Sequence, residues 1–354
     1  MKLRVGVVGA GYISQFHFEG IGAAGAEVAW ICDVNEKNAR PYLDKTGARF
    51  TTDFKQVCAD PAVDVVFVLT TTPFHRPVCL AAIEAGKAVI CEKTLGVSAD
   101  EAVEILTAAD QRGVLFFTSY MKRFIPAMAR AKELLPSCGK ILATHIRSYQ
   151  VWGDCWNPAV TDAWFCQPQD GSVSKPKSMS GGGILIMGGS HMLDLVCFYL
   201  GRPTRVFGAW ETMPGRDHDE HTSVLLETSH GRVHFDTLCH PFERIGYLRD
   251  GWDEQIEIIG DKGILHIYSA TWNEGHLKPS LLVHHDRATG QSSEYRFAPV
   301  SPFSLAVQHY LAAIAKKSQG DYPRYSGYDV DELIGTISRS AAEHRAIEMK
   351  YRIG

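Results

Sequence analysis

The chain opens with short apolar runs separated by stretches of helical spacing. Residues 3–8, 28–32, 63–70, 88–91 and 114–118 read as strands. Val65-Val66-Phe67-Val68-Leu69 is apolar at every position, as a strand covered on both faces is. The intervening helices carry start and stop signals. Residues 81–85 run into Gly86-Lys87. Ser98-Ala99-Asp100-Glu101 forms a capping box, and its helix closes at Arg112-Gly113. This alternation predicts a parallel, doubly wound sheet over residues 1–120.

Beyond residue 120 the pattern changes. Residues 126–135 form a short amphipathic helix. Strand-like segments then dominate, at 141–151, 205–210, 222–227, 233–238, 255–259, 263–268, 281–285 and 294–297. Turns such as Ser229-His230-Gly231-Arg232 and Gly260-Asp261-Lys262-Gly263 join several of them, which predicts a largely antiparallel second domain over 121–354. Helical stretches at 304–317 and 330–348 close it.

Composition narrows the class. With 354 residues, 45% hydrophobic, 21% charged and a formal net charge of -4, the chain has no basic field for nucleic acid or an anionic membrane. No apolar run reaches the roughly 18 residues of a membrane span. Met1-Lys2 leads straight into a strand, unlike a signal or transit peptide. Nine cysteines, an odd number with no Cys-x-x-Cys, read as reduced, mostly buried thiols of a cytoplasmic protein.

Three segments carry candidate chemistry. The first apolar run ends in Gly9-x-Gly11-x-x-Ser14, and the second ends, about twenty residues on, in Asp33. Gly9 suits a tight turn, Gly11 admits a pyrophosphate against the backbone, and Ser14 lets a helix lie close on its strand. The pyrophosphate then meets the free N–H groups of a helix N-terminus, and Asp33 accepts hydrogen bonds from a ribose. Lys93 follows strand 88–91 at the edge where doubly wound sheets bind ligands; there it polarises a substrate oxygen, whereas alone it reads as a solvated loop lysine. In the third segment, Gly181–Gly183 and Gly188-Gly189 flank an apolar run, and His191 opens an apolar helix. A helix N-terminus disfavours imidazolium, which suits a general base; the alternative is a capping or core histidine.

Together Gly9-Ala10-Gly11 with Asp33, Thr72-Pro73, Glu92-Lys93, Arg123-Phe124 and Gly181-Gly182-Gly183…His191-x-x-Asp194 resemble the glucose–fructose oxidoreductase, inositol dehydrogenase and rhizopine-catabolism oxidoreductases, the Gfo/Idh/MocA family, over nearly the whole length. The resemblance implies an α/β chain with an N-terminal Rossmann domain, followed by an α+β domain with a large, mostly antiparallel open sheet. It implies a bound NAD, with NADP less suited, contacted by Gly9, Gly11, Tyr12, Ile13, Asp33, Thr72, Pro73, His75, Glu92 and Lys93. It places the family's catalytic lysine and histidine on Lys93 and His191. The expected reaction interconverts a hydroxyl and a carbonyl on a sugar, cyclitol or glycoside. A redox-assisted glycoside cleavage without net cofactor turnover and a nucleotide-sensing regulator are the competing readings, and a homo-oligomer, dimer or tetramer, is expected.

The chain departs from the family at Thr94, where proline is usual, at Phe74 in the Thr-Pro-Asn turn, and at Met187, where an aspartate four residues before the histidine is common. Arg123, Trp152, Trp164, Met187 and His240 are further substrate candidates, Trp156 joining the tryptophan cluster as core, lid or stacking residues. His218-Asp219-Glu220-His221 has the residue types of a metal site but reads as a solvated turn, so no metal is expected. His284-His285 reads as strand surface.

Overall fold

The computed structural model describes residues 2–151, 183–212 and 219–354. They form two compact units. The first comprises residues 1–121, 303–331 and 352–354, the second residues 122–302 and 332–351. This division differs from a single cut near residue 120, because the chain returns to the first unit after completing most of the second.

The first unit holds β1 (Arg4–Val8), α1 (Ser14–Ala23), β2 (Glu27–Cys32), α2 (Glu36–Thr46), β3 (Arg49–Thr51), α3 (Phe54–Ala59), β4 (Val65–Val68), α4 (His75–Glu84), β5 (Ala88–Cys91), α5 (Ala99–Arg112) and β6 (Phe116–Thr118). The six strands are parallel, in the order β3-β2-β1-β4-β5-β6. Every residue of β4 is fully buried, as its unbroken apolar run requires. The capping box at α5 is real, with one shift: Ser98 Oγ accepts from Glu101 N–H at 3.4 Å, while Glu101 Oε2 accepts from Val97 N–H at 3.1 Å. Gly113, at φ 65°, then ends the helix in the left-handed region.

Two later segments complete this unit. In α8 (Pro302–Ala315), Val307 packs where a Cβ on Gly20 would lie, Phe303 stacks on Phe16, and Tyr310 packs on Phe117. Tyr322 Oη donates to the Thr118 carbonyl at 2.6 Å, and α9 (Ser326–Glu343) begins beside it.

The second unit contains α6 (Pro126–Leu134), β7 (Ile141–Gln150), α7 (Ser190–Leu200), β8 (Arg205–Thr212), β9 (Asp219–Thr228), β10 (Gly231–Cys239), β11 (Asp253–Gly260), β12 (Gly263–Ser269), β13 (Leu281–Asp286), β14 (Gln291–Arg296) and β15 (Ile347–Glu348). These strands make one nine-stranded sheet, in the order β14-β13-β12-β11-β7-β10-β9-β8-β15. All pairs are antiparallel except β7 with β10. Burial alternates along β7, β9, β10 and β12, so the sheet has a buried face, against which α6 and α7 pack, and an outer face. On the outer face His234 lies opposite His145, and Glu257 lies opposite both His145 and His266.

Candidate functional site

The carboxyl edge of the parallel sheet is shaped for a dinucleotide. Gly9 has φ 97°, and a Cβ there would approach the backbone of Leu69 and Thr70 to 2.6–2.8 Å. Glycine is therefore required where β1 passes the end of β4. At Gly11 a Cβ would meet nothing within 4 Å, so the chain itself imposes no demand for glycine there. The open space lies just before α1, whose first turn Ser14 anchors by donating from Oγ to the Gly11 carbonyl at 2.7 Å. Asp33 is preset at the end of β2: Oδ2 accepts from Ala10 N–H at 2.8 Å, and Oδ1 accepts from Asn35 N–H at 2.8 Å and Asn38 Nδ2 at 3.2 Å. Tyr12, Val34 and Phe74, at the ends of β1, β2 and β4, expose apolar side chains. Room at Gly11, a helix N-terminus and an anchored acid are the set that a pyrophosphate and a ribose need, so the residues present fit NAD. Ile13, half-buried, stands at the N-terminal cap of α1.

Lys93 emerges half-buried from the end of β5, and the Lys93–Thr94 peptide is cis. Its neighbours hold the loop. Glu92 is buried, with Oε1 2.7 Å from His17 Nε2, and Oε2 accepts from the Lys93 N–H at 3.1 Å. Burial pushes the Glu92 carboxyl up, but the hydrogen bond and charge of His17, with the Lys93 charge, bring it below its ordinary value. His75 is fully buried between two carbonyls, Nδ1 at 2.8 Å from Thr94 O and Nε2 at 2.9 Å from Thr70 O. Burial lowers its pKa, against the pull of those carbonyls. The polar atoms of Glu92 and His75 that make these contacts face inward and brace the loops. Thr72 is also buried, whereas Pro73 is exposed.

His191, 8% exposed, lies in α7 of the second unit. It does not open a helix. A π-helical turn, Leu185–Gly189, runs straight into α7, so the helical start lies several residues earlier. Asp219 caps that start: its carboxylate accepts from Gly183 N–H at 3.2 Å, Leu185 N–H at 2.8 Å and Thr222 Oγ1 at 2.8 Å. His191 therefore lies about two turns inside the helical segment, away from the N-terminus expected to hold it neutral. The Asp219 segment, expected as a solvated turn, supplies a buried cap, and His221 pairs with Asp236 at 2.9 Å. Within the turn Leu185–Gly189 a Cβ on Gly188 would overlap the Gln150 amide, so only glycine lets the turn lie on β7. Met187, on this turn, is 6% exposed.

Arg123 belongs to the second unit, like α7. It is buried and grips Asp194, one turn along α7 from His191, with Nε to Oδ2 at 2.7 Å and Nη2 to Oδ1 at 2.6 Å. Burial pushes the Asp194 carboxyl up, and the guanidinium opposes it. Arg123 therefore anchors α7. Beside it, Lys122 and Glu254 form a second buried pair, with Glu254 also accepting from Ser148 Oγ at 3.1 Å, Gln150 Nε2 at 2.8 Å and Ser269 Oγ at 2.9 Å. The sequence carries no local sign of this network, in which Lys122, Ser148 and Gln150 lie 132, 106 and 104 residues from Glu254. His240 is mostly exposed, 3.8 Å from Glu220. Trp152, Trp156 and Trp164 lie outside the described residues. A depression of about 740 Å³ on the outer sheet face is lined by His145, Arg147, Tyr149, His234, Asp236 and Glu257 among others. It includes neither Lys93 nor His191, so it is a separate feature.

Residues 3–120 match the oxidoreductase family with an NAD-binding Rossmann fold, and residues 129–266 match the GFO/IDH/MocA C-terminal domain. The chain is 26% identical over 347 residues to inositol 2-dehydrogenase 3 of Saccharopolyspora erythraea, covering 95% of this chain and 92% of that one. It is 29% identical over 201 residues to 1,5-anhydro-D-fructose reductase of Ensifer adhaerens, 56% of each. Levoglucosan dehydrogenase in complex with NADH and levoglucosan superimposes with a TM-score of 0.83 at 19% identity, covering 99% of this chain and 100% of that chain, a likeness of fold.

Proposed function

Since the chain belongs to the Gfo/Idh/MocA family of NAD-binding oxidoreductases, we propose that it interconverts a hydroxyl and a carbonyl on a sugar, cyclitol or related glycoside. The observation that carries this reading is the lysine loop. Lys93 is set on a braced backbone at the carboxyl end of β5, on the edge that carries the Gly9–Gly11 turn and Asp33. Relatives that act on inositol and on an anhydro sugar support the substrate class. The bound cofactor supplies a hydride acceptor at C4 of its nicotinamide. Lys93 orients and polarises the reacting oxygen, and the imidazole of His191 takes its proton. Met187 lines an apolar part of the site, which favours a substrate lacking a hydroxyl at the point where an aspartate would bind one. The buried thiols Cys32, Cys58, Cys79, Cys91 and Cys138 suit a reducing, cytoplasmic setting.

A panel of inositols, anhydro sugars, aldoses and glycosides, read by absorbance of reduced nicotinamide, identifies the substrate. On it, Lys93→Met and His191→Ala are expected to lower turnover by ~10²-fold or more while NAD binding stays within a few fold. Parent-like turnover in either variant removes that residue from the chemistry.

A further inference from the structure

We infer that Asp331 is a positioning residue for Lys93. The inference rests on the reading of Lys93 as the group that meets the reacting oxygen. Beyond β5 the backbone of residues 92–96 runs through the interior, where each polar group needs a partner. Thr94 O is met by His75. On the other side of the lysine, the Gly96 N–H donates to Asp331 Oδ2 at 2.8 Å, and the Leu95 N–H is directed at the same carboxyl. Asp331 lies 235 residues beyond Gly96, in the second turn of α9, within the same compact unit.

The approach of this helix is built in. A Cβ on Gly327 would lie 2.8–2.9 Å from the Leu95 side chain, and one on Gly96 would lie 2.8 Å from Glu101 Cβ and Ser98 O. Glycine at both positions lets α9 and the loop close up, and Asp331 follows Gly327 by one turn, on the same face. A buried helical position is ordinarily filled by an apolar side chain. Here it holds a fully buried carboxyl whose Oδ1 has no hydrogen-bond partner among the described residues. What the carboxyl does is hold the two amides that follow Lys93-Thr94. Glu92 with His17, His75, and Asp331 thus fix the lysine's backbone from before, beside and after. An ångström of misplacement at a reacting group costs about a hundredfold in rate, so an anchor at this distance in sequence acts on the chemistry through Lys93.

The test compares Asp331→Ala with Asp331→Asn in the full chain. Asparagine keeps an acceptor oxygen for the two N–H groups; alanine does not. In Asp331→Ala, hydrogen exchange at Leu95 and Gly96 is expected to speed up about tenfold or more. Turnover falls about tenfold or more with KM little changed, and NAD affinity stays within about twofold. Asp331→Asn restores both exchange and turnover. Unchanged exchange in Asp331→Ala, or no restoration by asparagine, overturns the role. So does parent-like turnover in Asp331→Ala beside an inactive Lys93→Met, which leaves the catalytic reading standing. Parent-like turnover in both variants overturns the reading of Lys93 itself.

Discussion

Three buried carboxyls illustrate how neighbours set the state of an acid. Asp194 faces a guanidinium through two parallel hydrogen bonds, Glu92 faces His17 and its own next amide, and Asp331 faces the Gly96 and Leu95 amides with the charge of Glu101 nearby. Taking away Arg123 would leave Asp194 buried beside no described cation, a change that costs about 3–5 kcal/mol in comparable pairs. Glu92 is lowered, so its contribution to stability is present above about pH 4 and is lost as pH falls through its folded pKa. Asp331 has the opposite sign. Burial, with the charge of Glu101 adding to it, raises it well above the usual carboxylate range, against the pull of the Gly96 and Leu95 amides. Its contribution is complete below about pH 4 and is lost as pH rises through its folded pKa. Asp331→Asn, which cannot ionise, is therefore expected to gain in Tm relative to the parent as pH is raised from 5 to 8. A constant difference across that range would contradict the assignment. None of these pairings is visible in the chain as written, because ion pairs such as Arg123 with Asp194 join positions 71 residues apart with no local period.

The strands and turns of the first unit are the most legible elements. β4 and β5 are covered on both faces, so their burial is written as unbroken apolar runs. The three residues of β3, at the sheet edge, carry no such pattern and escape notice. The glycine-rich stretch before α7 misleads in the other direction. Gly188 there serves close packing of a helical turn on β7, His191 follows that turn instead of opening the helix, and the cap, Asp219, comes from a strand further along the chain. The turn between β1 and α1 is both legible and specific in consequence. Asp33 is held at the end of β2 by three donors, so it is not free to swing away from a ribose. A 2′-phosphate would meet its charge directly. Calorimetric titration is expected to show NAD binding at least tenfold more tightly than NADP, even though Lys37 and Arg40 lie close in sequence. Equal affinities would mean that Asp33 does not address the ribose.

The nine-stranded sheet sets the expectation for assembly. Its outer face places Phe207, Leu225 and His234 side by side in register, and Phe207 is 44% exposed. A wide, half-apolar face of this kind is expected to be covered by a second copy of the chain. Light scattering at micromolar concentration should return at least twice the chain mass, and a monomer would refute it. Within the described residues no helix is long and apolar enough to cross a membrane.

The first unit also has a history written into its connectivity. Its six strands are all in place by residue 121, yet α8, which covers Phe16, His17, Gly20 and Phe117, arrives about 180 residues later. At about 5–20 residues per second, a ribosome takes roughly ten to forty seconds to deliver it. During that interval the nascent nucleotide-binding unit stands with one flank uncovered while the inserted sheet is still being made. The loop of Lys93 is then without Asp331, which is translated later still. The loop of Lys93 therefore gains its Asp331 contact only after eight of the nine strands of the larger sheet have been made.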